Sequence, residues 1–186
     1  MGAKTSKPLV SLTLARAGVE VVTASVMPDR RTNVTLARGL KVTADSHISD
    51  ESADPYDAII LPGGMPGGKH LGESKELVAI LQSQKSKNKL YGAICASPAV
   101  ALGPNGLLDG VAKATCFPFL KDKMPESLEF SNDAVVCSNN CITSQGPGTA
   151  LKYALTIAAI LVSPAKAVEV AKGMLLDYSE TDLVPK

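Results

Sequence analysis

Short apolar runs alternate with helical patterns along this chain, and that alternation restricts the fold more than any other feature. The strand-like runs are residues 19–26 and 56–61, each bounded by glycine or proline. Apolar residues at helical spacing predict helices over residues 74–84 and 148–162. Apolar runs with helices between and after them are typical of parallel strands buried on both faces. The sequence therefore predicts an α/β fold, a parallel sheet with helices on both faces.

The length of 186 residues, without an evident repeat or linker, favours one domain. We assign residues 8–186 to that domain and residues 1–7 to a leader. Residues 33–42 and 135–143 are expected to form small antiparallel hairpins beside the parallel strands. Functional residues in such sheets lie at the carboxyl ends of the strands, so we expect them in the loops that follow the strands.

The composition argues against a nucleic-acid partner and against a membrane span. Charged residues make up 20% of the chain and the formal net charge is +1, so no strong electrostatic partner is expected. Tryptophan is absent and aromatic residues are 4%, which removes the stacking surfaces that bind single-stranded nucleic acid. The longest nearly apolar stretch, residues 154–162, is shorter than the roughly 20 residues that cross a bilayer.

The amino-terminal residues Met1 to Ser6 match the pattern for N-myristoylation of Gly2, and Lys4 and Lys7 add a weak second membrane signal. If Gly2 is myristoylated, we expect weak association with an anionic membrane surface. An unstructured leader is the simpler interpretation, because so short a pattern often occurs by chance.

The cysteines indicate a reducing compartment, and we expect a cytoplasmic protein. They show neither paired zinc-ligand spacing nor the density of a secreted disulfide scaffold. Cys137 and Cys141 flank a predicted hairpin turn, so we expect them to face each other across two strands as reduced thiols. The four cysteines are Cys95, Cys116, Cys137 and Cys141.

Residues 89–98 are the segment most informative about function. They predict a short apolar strand that ends at Cys95 and a helix that begins at once, with Pro98 in its first turn. A cysteine on so sharp a turn projects from the end of the sheet, and the N–H groups that open the helix favour its thiolate. We interpret Cys95 as a nucleophile or an oxidation sensor. The alternative is an inert apolar filler, the usual role of a free cysteine.

The glycine-rich loop 62–68 follows the second strand-like run and has two interpretations. Its glycines supply the positive φ that a strand-to-helix connection needs. Alternatively, its N–H groups complete an oxyanion hole with the Ala96 N–H for a substrate attacked by Cys95, and we favour this interpretation. Phosphate binding is weakly supported, because the loop has no Walker lysine and no G-x-G-x-x-G motif opens a helix.

Four segments, in this order along the chain, resemble the ThiJ/PfpI superfamily: residues 57–64, 93–98, 113–118 and 142–149. More narrowly, they resemble its parkinsonism-associated protein deglycase branch, which is glyoxalase III-like. The resemblance implies a flavodoxin-like, doubly wound fold and a homodimer. It also implies an elbow cysteine that oxidises readily to a sulfinate.

The same resemblance implies a cofactor-free enzyme, a glyoxalase III-type lyase or protein deglycase active in stress protection. Its partners would be small dicarbonyls, glyoxal and methylglyoxal, or glycated proteins whose early adducts it repairs, and no metal is expected. By position, Cys95 is the nucleophile, and Gly64 and Ala96 offer the oxyanion N–H groups. The remaining positions, at the pocket or dimer edge, are Gly63, Arg16, Arg38, Phe117, Gly146 and Pro147. For the two arginines, a solvated surface position is the alternative.

The chain departs from the family's pattern at its beginning. Members start with a strand and a loop that bears a glutamate against the thiol, whereas here the helix-like residues 8–17 begin almost at Met1. Glu20 lies within the run 19–26 and does not replace that acid by position. General acid–base catalysis by such a group typically raises the reaction rate by about 10²–10⁴-fold, so we expect weak catalysis without it. Losing an interior strand also leaves two unpaired strand edges.

We hypothesise that the sequence is a truncated form of a longer chain. An intact mass of the native protein above 19.3 kDa is the expected result. A native protein that begins at Met1 would contradict the hypothesis.

The histidines argue against a glutaminase. Some relatives carry a pocket histidine where this chain has Phe117, and the histidines present are His47 and His70. Neither follows Cys95, as the general base of a Cys-His-Glu amidotransferase would. We expect His70, which comes after the glycine loop, to be a solvated loop residue rather than a pocket residue.

Three functions are open from the sequence. The first is the cysteine-dependent dicarbonyl enzyme. The second is a redox-sensing stress protein or chaperone-like holdase with little turnover, in which oxidation of Cys95 alters partner binding, and the missing acid favours it. The third is a structural relative with an inert elbow cysteine, which an ordinary alkylation rate would indicate.

Overall fold

The strand Leu90–Ile94 is central to the largest sheet in the computed structural model, which describes residues 9–52 and 56–184. The strands are β1 (Ala24–Ser25), β2 (Asn33–Thr35), β3 (Lys41–Thr43), β4 (Ser46–His47), β5 (Ala58–Leu61), β6 (Leu90–Ile94), β7 (Lys113–Ala114), β8 (Glu129–Phe130), β9 (Val135–Ser138) and β10 (Cys141–Ser144). The α-helices are α1 (Leu9–Arg16), α2 (Gly67–Glu73), α3 (Lys75–Ser86), α4 (Ala150–Leu161), α5 (Pro164–Gly173) and α6 (Glu180–Leu183). Shorter helical turns cover Ala37–Gly39, Ile48–Asp50, Pro98–Leu102, Gly103–Asn105, Pro118–Lys123 and Pro147–Thr149.

The largest sheet has the strand order β5-β6-β10-β9 within the described ranges. β6 runs parallel to both β5 and β10, and β9 closes the sheet in antiparallel pairing with β10. Gly92 permits the close pairing of β6 with β10, because a Cβ built there would lie 2.0 Å from the carbonyl oxygen of Ile142. The predicted parallel α/β sheet is confirmed.

Two apolar cores lie on opposite faces of this sheet. Alternate residues of β6 contribute to each, with Tyr91 and Ala93 in one core and Leu90 and Ile94 in the other. Helix α3 supplies the first core, and α1, α4 and α5 supply the second. Helices on both faces confirm the doubly wound, flavodoxin-like architecture.

Several predicted elements form close to their expected bounds. Helix α3 begins directly after its N-cap residue Ser74, whose hydroxyl accepts the Leu77 N–H at 3.3 Å. Helix α4 occupies most of the predicted 148–162 segment. The two expected hairpins are the antiparallel pairs β2–β3 and β9–β10.

None of the described helices combines the length and the hydropathy of a membrane span.

The predicted strand 19–26 is much shorter in the structure. Only Ala24 and Ser25 form a ladder, which runs parallel to β4. Residues 19–23 have strand-like composition, but no neighbouring strand pairs with them in the described ranges. The propensity of these residues favours an extended backbone, but a ladder also needs a neighbouring strand. The residue pattern of one strand does not specify which strand lies beside it.

Cys137 and Cys141 do not face each other, which corrects the expectation from the sequence. In the β9–β10 register, Cys141 is opposite Ser138, and Cys137 is opposite Ile142. Side chains alternate between the faces of a sheet, so the two thiols point to opposite sides. Cys141 is in the core that contains Tyr91, and Cys137 packs against the other core. Both are free thiols.

Buried thiols make the stability of this fold sensitive to alkaline pH. Burial raises the pKa of Cys141 from 9.0 to about 12, and it raises the pKa of Cys137 as well. The unfolded thiol ionises near 9.0 while the folded thiol keeps its proton, so the stabilisation is complete below pH 9 and is lost between pH 9 and 12.

We expect the free energy of unfolding, measured in urea, to fall as the pH rises from 9 to 11 and to fall less in Cys141→Ala. The variant lacks the thiol whose pKa is raised from 9.0 to about 12, and at pH 8 it loses only the packing of one buried sulfur. Equal pH dependence in the two proteins would contradict this assignment.

Candidate active site

The predicted elbow forms at Cys95, directly after β6. Cys95 has a φ of 65°, which lies in the left-handed region that residues other than glycine seldom adopt. Ser97 already has helical dihedral angles, and the helical turn Pro98–Leu102 follows. Such backbone strain persists only where neighbouring groups hold it.

Two hydrogen bonds hold the elbow. The Cys95 N–H donates to the carbonyl oxygen of Ser144 at 2.9 Å, and the Phe117 N–H donates to the carbonyl oxygen of Cys95 at 2.8 Å. The cysteine is therefore fixed from the end of β10 on one side and from the segment after β7 on the other. Sequence analysis did not identify Ser144 as an anchor, because its carbonyl group acts irrespective of its side chain.

Gly63 lies directly against the thiol. A Cβ built at Gly63 would be 2.5 Å from the Cys95 Cβ and 3.3 Å from the Cys95 Sγ. The Ser97 hydroxyl donates to the carbonyl oxygen of Pro62 and so joins the glycine loop to the elbow. The loop follows β5 and the elbow follows β6, so adjacent parallel strands bring them together.

Gly64 continues the loop with a φ of 93°. A Cβ built on it would lie 2.9 Å from the Ala37 Cβ, which places the turn Ala37–Gly39 beside the loop. Arg38 belongs to that turn, has a φ of 65° and is exposed. Its side chain is therefore available at the rim of the site, and a role at the pocket or dimer edge stays a prediction.

The N–H groups of Gly64 and Ala96 have no hydrogen-bond acceptor within residues 9–52 and 56–184. Ala96 immediately follows the thiol-bearing residue, and Gly64 follows the glycine that touches it. Unpaired N–H groups on both sides of a nucleophile are what a developing oxyanion requires. Their role as oxyanion donors stays a prediction that this geometry favours.

Another part of the candidate site contains Phe117, Gly146 and Pro147. A Cβ at Gly146 would be 3.8 Å from the Phe117 ring, and Pro147 opens the helical turn that follows Gly146. Thr149, which sequence analysis placed only within a motif, fixes this turn. Its hydroxyl accepts the Gly146 N–H at 3.0 Å and lies 2.6 Å from the Ser144 hydroxyl.

Arg16 contacts the carboxyl end of helix α5. Its guanidinium donates to the carbonyl oxygen of Gly173 at 3.4 Å, at the carboxyl end of α5, where a positive charge suits the helix dipole. The structure therefore gives Arg16 a helix-capping contact, and its assignment to the pocket or dimer edge stays a prediction.

The histidines have different environments. His70 is exposed, as expected, but it belongs to helix α2 rather than to a loop. The His47 ring nitrogens lie 2.9 Å from the Met27 carbonyl oxygen and 2.8 Å from the Ser49 hydroxyl, which is a structural arrangement. Within the described ranges, no three His, Cys, Asp or Glu side chains converge as a metal site.

A second thiol lies near the first. Cys116 is fully buried, and burial together with the nearby Cys95 raises its pKa to about 11. Cys116 therefore keeps its proton at neutral pH and does not compete as a nucleophile. In the described part of the chain, the thiols of Cys116 and Cys137 donate to backbone carbonyl oxygens, and no carboxylate makes a hydrogen bond with the Cys95 thiol.

Substituting Gly63→Ala is expected to lower the free energy of unfolding by about 1–3 kcal/mol, the usual cost of forcing a methyl group into a filled space. It should also slow alkylation of Cys95 by iodoacetamide, because the methyl would lie 3.3 Å from the sulfur. Urea unfolding and peptide mass analysis measure the two effects.

The control is Gly67→Ala, where a built Cβ meets nothing within 4 Å. It should leave both the stability and the alkylation rate close to those of the parent protein. An equal alkylation rate in the two variants would disprove the proposed contact of Gly63 with the thiol.

The chain is similar in sequence to several known proteins. Protein dj-1beta of Drosophila melanogaster is 36% identical over 167 residues, which cover 89% of this chain and 87% of that protein. The Caenorhabditis elegans protein named glutathione-independent glyoxalase DJR-1.2 is 36% identical, with coverage of 88% and 84%. The chain spans about 40% of the length of DJ-1 homologs A and B of Arabidopsis thaliana, at 37% and 35% identity.

Solved structures show the same architecture. Oxidised DJ-1 of Toxoplasma gondii superposes with a TM-score of 0.85 at 40% identity, covering 91% of this chain and 90% of that one. Drosophila melanogaster DJ-1beta gives a TM-score of 0.83 at 35% identity, with coverage of 91% and 90%. The profile of the DJ-1/PfpI family matches residues 5–160. The chain therefore belongs to the DJ-1/PfpI family.

Proposed function

We propose that this protein converts glyoxal and methylglyoxal to hydroxy acids through Cys95, without a cofactor, and repairs early dicarbonyl adducts on proteins. The observation that carries the proposal is the position of Cys95 on a strained turn, with unpaired N–H groups at Gly64 and Ala96. The relative named as a glutathione-independent glyoxalase supports the same chemistry.

The first step is addition to the aldehyde. The Cys95 thiolate forms a carbon–sulfur bond with the aldehyde carbon, and the carbonyl electron pair moves to oxygen. The Gly64 and Ala96 N–H groups donate to that oxyanion, and because they have no acceptor within the described ranges they need not break another bond first. Protonation then gives a hemithioacetal.

The second step is an internal redox exchange. The hydrogen on the sulfur-bearing carbon leaves as a proton to give an enediol, and a proton returns at the adjacent carbon. One carbon is oxidised to a thioester and its neighbour is reduced to an alcohol, so no external oxidant is needed. Water hydrolyses the thioester, releases glycolate or lactate and restores the thiol.

The proton carrier determines how fast this sequence runs. Within residues 9–52 and 56–184 the thiols of Cys116 and Cys137 donate to backbone carbonyl oxygens, and no hydrogen bond joins Cys95 to a carboxylate. The proposed reaction sequence therefore takes water as its proton carrier. A positioned general base typically contributes about 10²–10⁴-fold, and turnover should be slower by a comparable factor than in an enzyme that has one.

We expect Cys95→Ser to lose lactate production from methylglyoxal at least ~100-fold, because a serine hydroxyl is far less ionised than a thiol at neutral pH. The matched control is Cys137→Ser, which alters another half-buried thiol, on β9. The same pair, assayed on the methylglyoxal adduct of N-acetylcysteine, tests adduct repair. Undiminished lactate production in Cys95→Ser would overturn the mechanism.

A second candidate function is peroxide sensing at Cys95, with or without a holdase activity that follows from it. The environments of the thiols favour it, since Cys116 and Cys141 are buried, and of the two half-buried thiols, Cys95 and Cys137, only Cys95 lies on a turn with positive φ. The Cys95 thiolate attacks one peroxide oxygen, the O–O bond breaks with release of hydroxide, and the sulfenic acid that forms loses its proton to give a sulfenate. A second peroxide oxidises the sulfenate to a sulfinate.

Titration with hydrogen peroxide, followed by peptide mass analysis, is expected to place the first sulfinate on Cys95. Cys116 should stay a thiol, because it is fully buried and its raised pKa of about 11 keeps it protonated. Earlier oxidation at Cys116 or Cys137 would count against the sensor function.

A further inference from the structure

Two phenylalanines, Phe117 and Phe119, form an aromatic pair beside the turn that bears the thiol. Their ring centroids are 5.4 Å apart and the rings are tilted by 50°, which is a favourable geometry for an aromatic pair. Phe117 is half-buried and Phe119 is 89% exposed. Neither ring belongs to the two apolar cores of the described chain. The pair is therefore an apolar surface at the candidate site that neither core covers.

Hydrogen bonds fix the backbone that carries the first of these rings. The Phe117 N–H donates to the carbonyl oxygen of Cys95 at 2.8 Å. The Phe117 carbonyl oxygen accepts the Leu120 N–H at 2.8 Å and the Cys116 thiol at 3.3 Å. The backbone of Phe117 is thus fixed relative to Cys95 before any ligand binds, and such preorganisation lowers the cost of binding.

The second ring projects away from the protein. Leu120, the next residue, packs against the core that contains Tyr91, whereas Phe119 lies in solvent. A single exposed apolar side chain is common on protein surfaces and needs no functional explanation. This ring, however, lies beside a second ring whose backbone is bonded to Cys95, so the apolar surface extends outward from the site.

Gly146 leaves open space beside the Phe117 ring. A Cβ built at Gly146 would lie 3.8 Å from that ring, an ordinary van der Waals distance. It would meet no other heavy atom of the described residues within 4 Å, its own chain neighbours aside. Gly146 comes two residues after Ser144, whose carbonyl oxygen accepts the Cys95 N–H. The opening beside the ring is therefore next to the segment that holds the thiol, and it admits an apolar group.

We infer that Phe117 and Phe119 bind the substituent of a 2-oxoaldehyde, and that the site prefers an aryl substituent, as in phenylglyoxal, to the methyl group of methylglyoxal. The inference rests on the proposed function, because the Cys95 thiolate attacks the aldehyde carbon of either substrate. Addition, proton transfer and hydrolysis then consume one water and give mandelate in place of lactate, without an external oxidant. A phenyl ring has no hydrogen-bonding group, so both side chains act through apolar contact and aromatic stacking.

The first test compares initial rates with phenylglyoxal and methylglyoxal. The parent protein should have the larger kcat/KM for phenylglyoxal. Phe119→Ala should lower the ratio of the two kcat/KM values about twofold to tenfold, the usual contribution of one aromatic contact, and should leave the kcat/KM for methylglyoxal unchanged. Phe119→Tyr keeps the ring and should keep the ratio.

The matched control for Phe119→Ala is Val162→Ala, which shortens a 48% exposed side chain at the end of α4 and should keep both values. Gly146→Ala puts a methyl group into the opening beside the Phe117 ring and should lower the ratio as well. Gly148→Ala, where a built Cβ meets nothing within 4 Å, should not. Equal kcat/KM values for the two substrates, or a ratio that Phe119→Ala leaves unchanged, would overturn the inference.

A second measurement separates this inference from the proposed chemistry, because it needs no turnover. Mandelate and lactate have no aldehyde group, and their binding is followed as protection of Cys95 from iodoacetamide. Mandelate should protect at a concentration about threefold or more below that of lactate, and Phe119→Ala should remove the difference. Such protection in a protein that converts neither aldehyde would refute the proposed function and keep the aromatic surface. Conversion of methylglyoxal without preferential protection by mandelate would refute the aromatic surface alone.

Discussion

The register of β6 between its two parallel neighbours is the constraint on which the site depends. Ala93 is level with Leu61 of β5, and Ile94 is level with Ser144 of β10. The three strands therefore end at one edge, and the segments that follow them meet there. A glycine loop, a cysteine turn and a glycine-proline turn, far apart in the sequence, become one site because backbone hydrogen bonds align their preceding strands.

Local chemistry made much of this arrangement predictable, and non-local contacts account for the rest. The cysteine turn and helix α3 follow from patterns of a few adjacent residues, such as the serine cap at Ser74. The contact of Arg16 with Gly173 joins residues that the chain separates by 157 positions, and no local pattern contains it. The strand at 19–26 was overestimated for the same reason, since its ladder depends on distant neighbours.

The thiols differ in their burial and therefore in their reactivity. Cys116 and Cys141 are withdrawn from water, and their raised pKa values of about 11 and about 12 keep them as apolar, protonated groups. Cys95 remains partly accessible on a turn whose backbone is bonded on both sides. The fold thus places one half-buried thiol, that of Cys95, beside unpaired N–H groups. The four cysteines are the same residue type, so residue type alone does not show which of them has this environment.

Gly63 follows β5, which is an edge strand of the largest sheet within the described ranges, and this position couples the site to that edge. β5 pairs with one neighbour in the described ranges, and three of its four residues are only half-buried. Edge strands with few partners open at lower free energy than the whole protein unfolds. Fraying of β5 would carry Gly63 and Gly64 away from Cys95 while β6 and β10 stay paired. On heating, the oxyanion geometry should therefore disappear before the fold does.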